Sequence, residues 1–550
     1  MTRFRQFSQH TTPLSPNIAS PTTNPRLENT GRGLTVFFEN RYLYSKYEPM
    51  LRPKRAAELA PIENRCIYVV PSPLLGYGLN TLAKRIPNDS FILAIEVFES
   101  LMNLCAPYAE KNDRAIHVRL SDFAALNEVF NSIGPWNYRR VRRVDLGAGS
   151  SLNPKLYDEL ITFLIDALIN YWRNRNTLLR LGRQWIRHVY ANLCELAYGL
   201  LDIQSVNNLI IDRVPVIVGA GPSLEEALPF IRKYRKRLWV MAADTAVSAL
   251  LTYGIKPDAA VVLETQPWNL LDFHDTEGSG IAIVADLSSY PPSLTHIGGP
   301  CYLYSSTFAE LEFLRKLEAC GVRDFTLDPL GSVGLVAIEI ALARWKGSVL
   351  LAGLDFGYSH GKTHARGTAY HRWQMLHLNR LNPHPGWETL MLRTRNQKQD
   401  TDSVLNGYAA LLRRRFSETG RLYVLPTSGT DLNLPLLEDA ETILLENQKG
   451  ITRNGEAPNW RAETARFIDA QLNGLQEIID SWEVYAKDTK EKSRLISVIE
   501  KMDEVYVDFP DTDPLSKENE SFLVRVVNRA RVLLDYIEGV RSSVRAAGNK

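Results

Sequence analysis

Cysteine is scarce in this 550-residue chain: Cys66, Cys105, Cys194, Cys301 and Cys320 are five in number, far apart, and form no C-x-x-C pair. That pattern excludes a disulfide scaffold or a cysteine zinc site as the reading and favours a reducing, cytoplasmic setting. Net charge is equally scant. Lys+Arg 64 against Asp+Glu 62 leaves +2, too little for a general affinity for nucleic acid or an anionic membrane. Long apolar runs are missing as well. The most apolar stretch, Val333 to Leu354, is broken by Glu339, Arg344 and Lys346, so no transmembrane span is expected. Arg3 and Arg5 precede no apolar segment, so no secretory signal is read.

What is present is an ordinary globular composition, 45% hydrophobic and 23% charged, long enough for two to four domains. Residues 1–30 are rich in Thr, Ser, Pro and Asn and read as a disordered tail. Residues 31–150 read as a smaller α/β domain. Cys66 to Val70 and Phe91 to Val97, the second carrying Glu96, are strand-like and flank Pro71 to Gly78 and a helical stretch. This domain either binds nothing or has a ligand site of its own. Residues 151–212 read as a helical connector: Leu156, Leu160, Phe163, Leu164, Ala167 and Leu168 recur at three- and four-residue steps. Its interleaved arginines and aromatics read as a solvated face with anchors rather than a nucleic-acid surface. Residues 441–550 read as a helical domain whose apolar faces (Phe467, Ile468, Leu472, Leu475; Val527, Leu533, Ile537) pack on the body or on a second copy in a homo-oligomer.

The chemistry concentrates in residues 213–440. Val216 to Val218 end a strand, Gly219 and Gly221 permit a sharp turn and close approach, and Ser223 with Glu226 has capping-box spacing. The helix so begun presents amide N–H groups suited to a phosphate. No Gly-Lys-Ser/Thr follows these glycines, and Leu224 stands where a dinucleotide fingerprint has its third glycine. Pro222 completes the turn. The alternative is a strand-to-helix turn that binds nothing. Further strands end at Asp244-Thr245, at Glu264, at Ser305 and before Asp355, and Gly331-Ser332-Val333-Gly334 opens a second helix. Alternating strands and helices give a doubly wound, Rossmann-like parallel sheet, whose ligands sit outside the carboxyl ends of the strands. Beyond Asp355, five of the ten histidines (His360, His364, His371, His377, His384) crowd into one polar segment. It lacks zinc-ligand spacing, so it is a surface loop or a lid carrying Lys362, His364 and Arg366.

The ordered set Gly219 to Glu225, Asp244-Thr245, Gly254 to Asp258, Gly331 to Gly334 and Gly353 to Phe356 with His364 following resembles the motility accessory factor family. Those bacterial proteins are implicated in glycosylating flagellin with nonulosonic acids such as pseudaminic or legionaminic acid. The central domain is also similar to bacterial sialyltransferases that use CMP-sugars, and to archaeal 6-hydroxymethylpterin pyrophosphokinases. The resemblance implies a sialyltransferase-like fold. It further implies a nucleotide site at Gly219, Gly221, Pro222, Ser223, Asp244, Thr245, Glu264, Ser305, Gly331, Ser332, Val333 and Gly334. Catalysis would fall to Asp355 and to a histidine base of near-neutral pKa, His364 or its rival His371. Asp244 stands where the sialyltransferases have asparagine. The implied partners are flagellin and a CMP-activated nonulosonic acid, with no metal or cofactor. Two alternatives are an ATP-dependent pyrophosphokinase using Mg²⁺ on Asp244, Glu264 and Asp355, and a non-enzymatic flagellin-binding accessory protein.

Overall fold

The structure is a computed structural model and describes residues 23–110, 112–119, 123–199, 203–274, 276–359, 362–381, 392–393, 400–445, 460–486, 491–512 and 519–548. The chain divides into two compact units, Met1–Thr177 and Leu178–Lys550. The first holds an antiparallel sheet of β1 (Arg26–Asn29), β2 (Leu34–Phe38) and β3 (Arg41–Tyr42). β1 lies inside the segment expected to be a disordered tail. It is held because Arg26 to Asn29 pair in register with Phe37 to Leu34. Residues 1–22 of that tail lie outside the described residues.

Four strands form the unit's parallel sheet: β4 (Cys66–Pro71), β5 (Phe91–Glu96), β6 (Ala115–Arg119) and β7 (Arg140–Arg143), in the order β6-β5-β4-β7. Helices α1 (Leu51–Leu59), α2 (Leu79–Arg85), α3 (Glu99–Cys105) and α4 (Phe123–Ser132) cover it. Strand alternation sends Ile67, Val69, Leu93 and Ile95 to one buried face and Tyr68, Val70, Ile92 and Ala94 to the other. Long helix α5 (Pro154–Tyr198) gives its residues up to 177 to this unit and the rest to the second.

The second unit is built on a nine-stranded parallel sheet. It comprises β8 (Ile203–Ser205), β9 (Val214–Val218), β10 (Leu238–Ala243), β11 (Ala259–Val262), β12 (Ala282–Asp286), β13 (Cys301–Ser306), β14 (Thr326–Leu327) and β15 (Val349–Ala352), and it ends with a strand at Leu422–Val424. A two-strand antiparallel pair, β16 (Leu392–Arg393) with β17 (Asp400–Thr401), precedes that last strand, here β18. The order is β14-β13-β12-β11-β10-β9-β15-β18, with β8 beside β13. The stretch expected as a purely helical connector therefore supplies a strand to the sheet, because Ile203 to Ser205 pair with Cys301 to Leu303. Pro215 sits in a central strand without loss, since β15 pairs only from Val216 onward.

Helices α6 (Leu224–Lys233), α7 (Asp244–Thr252), α8 (Pro291–Thr295), α9 (Glu312–Ala319), α10 (Val333–Arg344), α11 (Ala369–His377), α12 (Ser403–Phe416) and α13 (Ala440–Leu444) accompany these strands. The C-terminal helices α14 (Trp460–Tyr485), α15 (Lys492–Ile499) and α16 (Glu520–Gly548) bury the apolar faces read from sequence, including Phe467, Ile468, Leu475, Val527 and Ile537, in the same core as the sheet. Those faces are spent on the body and are not available to a second copy. A carboxylate fixes the arrangement: Asp503 accepts from the amides of Glu312 and Phe313 at 2.6 and 3.1 Å, capping α9 from beyond α15.

Two backbone segments cross closely where β9 and β15 end. A Cβ on Gly219 would lie 2.4 Å from the Gly353 carbonyl oxygen, and one on Gly353, at φ +64°, would lie 2.4 Å from the Gly219 carbonyl oxygen. Gly353→Ala is expected to cost about 2–3 kcal/mol, from a left-handed backbone plus a clash with main chain. Gly407→Ala, in α12 with open space around it, should stabilise by about 0.5–1 kcal/mol. Denaturant midpoints of the two variants measure the contrast; a Gly353→Ala midpoint equal to wild type would show that the crossing has room to relax.

Candidate functional site

Strand order locates the site before any side chain is considered. From β9 the chain winds outward through β10 to β14, then returns to place β15 on the other side of β9. Adjacent loops leaving β9 and β15 therefore diverge, and a crevice opens outside their carboxyl ends. The loops are Gly219 to Ser223 and Gly353 to Phe356.

Within this crevice, Asp355 and Ser223 are locked together. The Ser223 amide donates to Asp355 Oδ2 at 2.8 Å, and the Ser223 hydroxyl donates to Oδ1. Both residues are buried. Gly221 is required here, because a Cβ would lie 2.5 Å from the Asp355 carboxyl carbon. The capping box read from sequence does not form. Ser223 takes helical dihedrals (φ −67°, ψ −11°) and makes no side-chain cap, while Glu226 turns to accept from the amide and hydroxyl of Ser428. A carboxylate delivered by β15 fills the seat at the start of α6 that a local cap or a phosphate would take. The Gly219 and Gly221 amides are also engaged, donating to Ala352 and Gly353 carbonyls at 2.8 and 2.9 Å, and Pro222 has no N–H. This glycine turn is a close-packed hinge with its donors spent inward. Asp355, assigned to catalysis from sequence, accepts at both carboxylate oxygens from Ser223.

The second helix start differs. Ser332 precedes α10 in an extended conformation (φ −133°, ψ 130°) and makes no side-chain cap. Ser332, Val333 and Gly334 amides have no acceptor among the described residues, the first turn's ladder bonding beginning with the Val336 amide on the Ser332 carbonyl at 3.1 Å. A twelve-residue helix with a free first turn carries the partial positive charge that binds anions. It adjoins the crevice through Leu354, whose Cδ2 would be 2.5 Å from a Cβ on Gly334 and 2.7 Å from one on Gly219. Gly331 lies against the Tyr408 ring.

Other strand-end residues divide by distance along the sheet. Asp244 and Thr245 open α7 at the end of β10, next to β9. Glu264 follows β11, two strands from β9, and folds back on the amides of Thr265 and Gln266 at 2.9 and 3.0 Å. Ser305, on β13, is four strand steps from β9, roughly 19 Å at the usual spacing. It is buried and does not join the crevice.

Two residues absent from the sequence reading surround Asp244. Asn269 Nδ2 donates to Asp244 Oδ2 at 2.7 Å; its Oδ1 is buried without a partner among the described residues. Asp272 lies beside them. Burial, then Asp244 and Glu264, push its carboxyl up to about 8, and burial raises Asp244 to about 6. The only sequence signal for this group was a polar pair three apart, Asn269 and Asp272, in the turn after Glu264. Among the described residues no three His, Cys, Asp or Glu side chains are placed to hold a metal ion. Asp244, Glu264 and Asp355 thus do not form the Mg²⁺ ligand set envisaged for a pyrophosphokinase.

His364 sits on a strap fastened across the glycine turn. Lys362 Nζ pairs with both oxygens of Glu225 at 2.9 Å, the Arg366 amide donates to Glu225 Oε1 at 2.9 Å, and the Ala365 amide donates to the Ala220 carbonyl at 2.9 Å. Burial works to raise the Glu225 carboxyl, but Lys362 and the Arg366 amide and charge outweigh it and hold the group low. Between the two anchors, His364 Nδ1 is buried with no hydrogen-bond partner among the described residues, and its ring lies 5.0 Å from Tyr370. Burial, then the neighbouring His371, lower its pKa to about 4. The near-neutral value expected from sequence is therefore corrected, the cause being desolvation that sequence spacing does not report. His371, the rival, gives its amide to the Thr368 hydroxyl that caps α11. His360 and His384 lie outside the described residues.

Residues 188–361, which span this sheet and crevice, match the 6-hydroxymethylpterin diphosphokinase MptE-like family. An uncharacterized protein of Treponema pallidum (strain Nichols) is 30% identical over 368 residues, covering 65% of this chain and 64% of its own length. A second from the same organism is 32% identical over 85 residues, 16% of this chain and 39% of that one. The chain thus spans less than two thirds of the length of these relatives. The structure of MAf glycosyltransferase from Magnetospirillum magneticum AMB-1 superposes with a TM-score of 0.52 over 95% of this chain and 92% of that one, at 15% identity. Fold and crevice together define an α/β protein with an MptE-like domain over residues 188–361 that shares its fold with the MAf glycosyltransferase.

The raised Asp272 carboxyl makes a signed prediction. Its folded pKa lies above the ordinary 3.8, so the folded state binds its proton more tightly and loses stability as pH rises from about 4 through about 8. Asp272→Asn should therefore gain in thermal midpoint over wild type by a margin that widens from pH 5 to pH 8. Midpoints at pH 5, 6.5 and 8 test this; a constant or narrowing margin would show that Asp272 is not held protonated.

Proposed function

We propose that this chain is a cytoplasmic glycosyltransferase that moves a pseudaminic- or legionaminic-type nonulosonic acid from a CMP-sugar to Ser/Thr hydroxyls of flagellin, without a metal or cofactor. The observation carrying this reading is the free first turn of α10 beside Leu354 at the switch-point crevice. The likeness in fold to a MAf glycosyltransferase supports it.

In the reaction, the acceptor oxygen bonds to the anomeric carbon as the bond from that carbon to the CMP phosphate oxygen breaks. The hydroxyl proton goes to a base and CMP departs. Charge grows on the leaving phosphate, and the amides of Ser332, Val333 and Gly334 steady it in place. Neutral His364, unprotonated at physiological pH, receives the proton. A group of pKa about 4 is a weak base, and an anionic donor bound beside it raises its proton affinity. Asp355, Ser223 and Glu225 do no chemistry; they hold the turn and the strap in register.

A second reading is favoured by the MptE-like match over residues 188–361: pyrophosphoryl transfer from ATP to a pterin. Its candidate Mg²⁺ ligands are Asp244, Glu264 and Asp355, of which Asp355 is hydrogen-bonded to Ser223.

Calorimetric titration with CMP and with ATP, each with and without Mg²⁺, separates the readings. CMP should bind equally with and without the metal. Val333→Pro deletes one α10 amide at a position that tolerates proline, preceded by an extended residue; it should weaken CMP binding about 10-fold or more with an unchanged thermal midpoint. His364→Ala should retain CMP binding and lose flagellin transfer, while His371→Ala retains both. ATP binding that requires Mg²⁺ would transfer the case to the pyrophosphokinase, and silence from both nucleotides would leave a flagellin-binding accessory protein.

A further inference from the structure

Helix α11 is built inside out. The side chain it buries is polar: Gln374, whose Oε1 accepts from the Thr363 hydroxyl at 3.3 Å. Its large apolar side chains face outward. Tyr370, Trp373 and Met375 are half-exposed and Leu376 is 83% exposed, and Leu378 and Leu381 carry the exposure past the helix end. A surface helix of a globular protein ordinarily spends its apolar face on the core. Single exposed apolar residues need no explanation, but a contiguous run of them marks an interaction site.

The inversion repeats next door. α11 packs on α7 and beside the turn Pro267–Phe273, where Asn269 is buried while Trp268 is 73% exposed and Leu271 is exposed with it. In both elements a side-chain amide goes inward to a partner, Thr363 for Gln374 and Asp244 for Asn269, and large apolar groups stay at the surface. The charge beside them is positive. Between Asp355 and Glu388 the sequence holds no acid and carries Lys362, Arg366, Arg372 and Arg380. Lys362 is spent on Glu225, whereas Arg366 and Arg380 are exposed. Asp272, the acid that the neighbouring turn contributes, is pushed up to about 8 by burial, then by Asp244 and Glu264. A row of rings links this surface to the proposed base. His364 lies 5.0 Å from Tyr370, Tyr370 stacks on Trp373 at 5.9 Å, and Trp373 lies 4.5 Å from His377; the spacing 370, 373, 377 keeps the last three on one helix face.

We infer that this face docks the acceptor polypeptide, with apolar side chains set against Tyr370, Trp373 and Leu376 and acidic side chains set against Arg372 and Arg380; the inference rests on the proposed transfer reading. Exposed Trp, Tyr and Arg are the side chains that anchor protein partners. Positive charge without interspersed acids complements an acidic segment and steers its approach. The ring row runs from His364 outward, so a chain lying along it brings its hydroxyl to the base.

The test uses the full-length protein with purified flagellin, read by calorimetry and by transfer kinetics. Trp373→Ser with Leu376→Ser should raise the Kd and KM for flagellin at least about tenfold. CMP binding, the thermal midpoint and kcat at saturating flagellin should stay at wild type. Arg372→Glu with Arg380→Glu should weaken flagellin binding at low salt and lose most of that effect in about 1 M salt. Wild-type flagellin affinity in both variants, or no saturable flagellin binding by the wild type, would overturn the assignment. So would unchanged flagellin affinity accompanied by loss of wild-type self-association, by loss of co-sedimentation with phosphatidylglycerol vesicles, or by a lowered midpoint; these give the face to a second copy, a membrane or the fold itself. Failure of the transfer reading looks different: a wild type that binds flagellin through this face, yet neither binds CMP nor transfers, keeps the docking surface and removes the reaction.

Discussion

One buried contact governs the second unit: the Asp355 carboxylate on the amide and hydroxyl of Ser223. It joins the loops after β9 and β15, the two strands at which the sheet reverses its winding. Around it, Gly219, Gly221 and Gly353 remove the side chains that would keep these loops apart. Glu225 and Glu226, on the next two helical positions but one, then fasten the 362–366 strap and the Ser428 loop. Three successive acidic contacts at one helix start thus assemble three distant segments. Helix N-termini attract carboxylates, and this chain uses that attraction to build tertiary structure rather than to leave a seat for substrate.

The same logic recurs at α9, whose first amides are taken by Asp503 from the C-terminal region. Against these two filled starts, the free first turn of α10 is distinctive. In an interior where backbone donors are nearly always paired, unengaged amides at the edge of a crevice are where an anion gains most. His364, on the strap across the glycine turn, is desolvated, with its pKa lowered to about 4, and negative charge arriving beside it would raise its proton affinity.

In the first unit the crevice at which the strand order reverses, between β4 and β7, is closed by Gly149 packed against Ser72. Glu96, at the end of β5, spends its oxygens on four internal donors, the Ser72 and Tyr157 hydroxyls and the Val97 and Phe98 amides. The strand ends of this unit are thus tied to its own interior.

Much of this was legible in the amino-acid sequence. The parallel sheet follows from buried β-branched runs spaced by helices, and Gly219 and Gly221 marked a sharp turn with close approach before any coordinates. Periodicity placed the apolar faces of α5, α14 and α16, since burial of every third or fourth residue is a property of the local helix. What sequence could not decide was competition between distant groups. The spacing of Ser223 and Glu226 specifies a capping box only if no better acceptor arrives, and Asp355, 132 positions away, is a better one. The pKa of His364, the raised pKa of Asp272, the strand at Arg26–Asn29 and the roughly 19 Å separation of Ser305 from the crevice likewise depend on what the fold packs beside each residue. Desolvation and partner choice are properties of the assembled interior, and they exist only once the chain has closed around them.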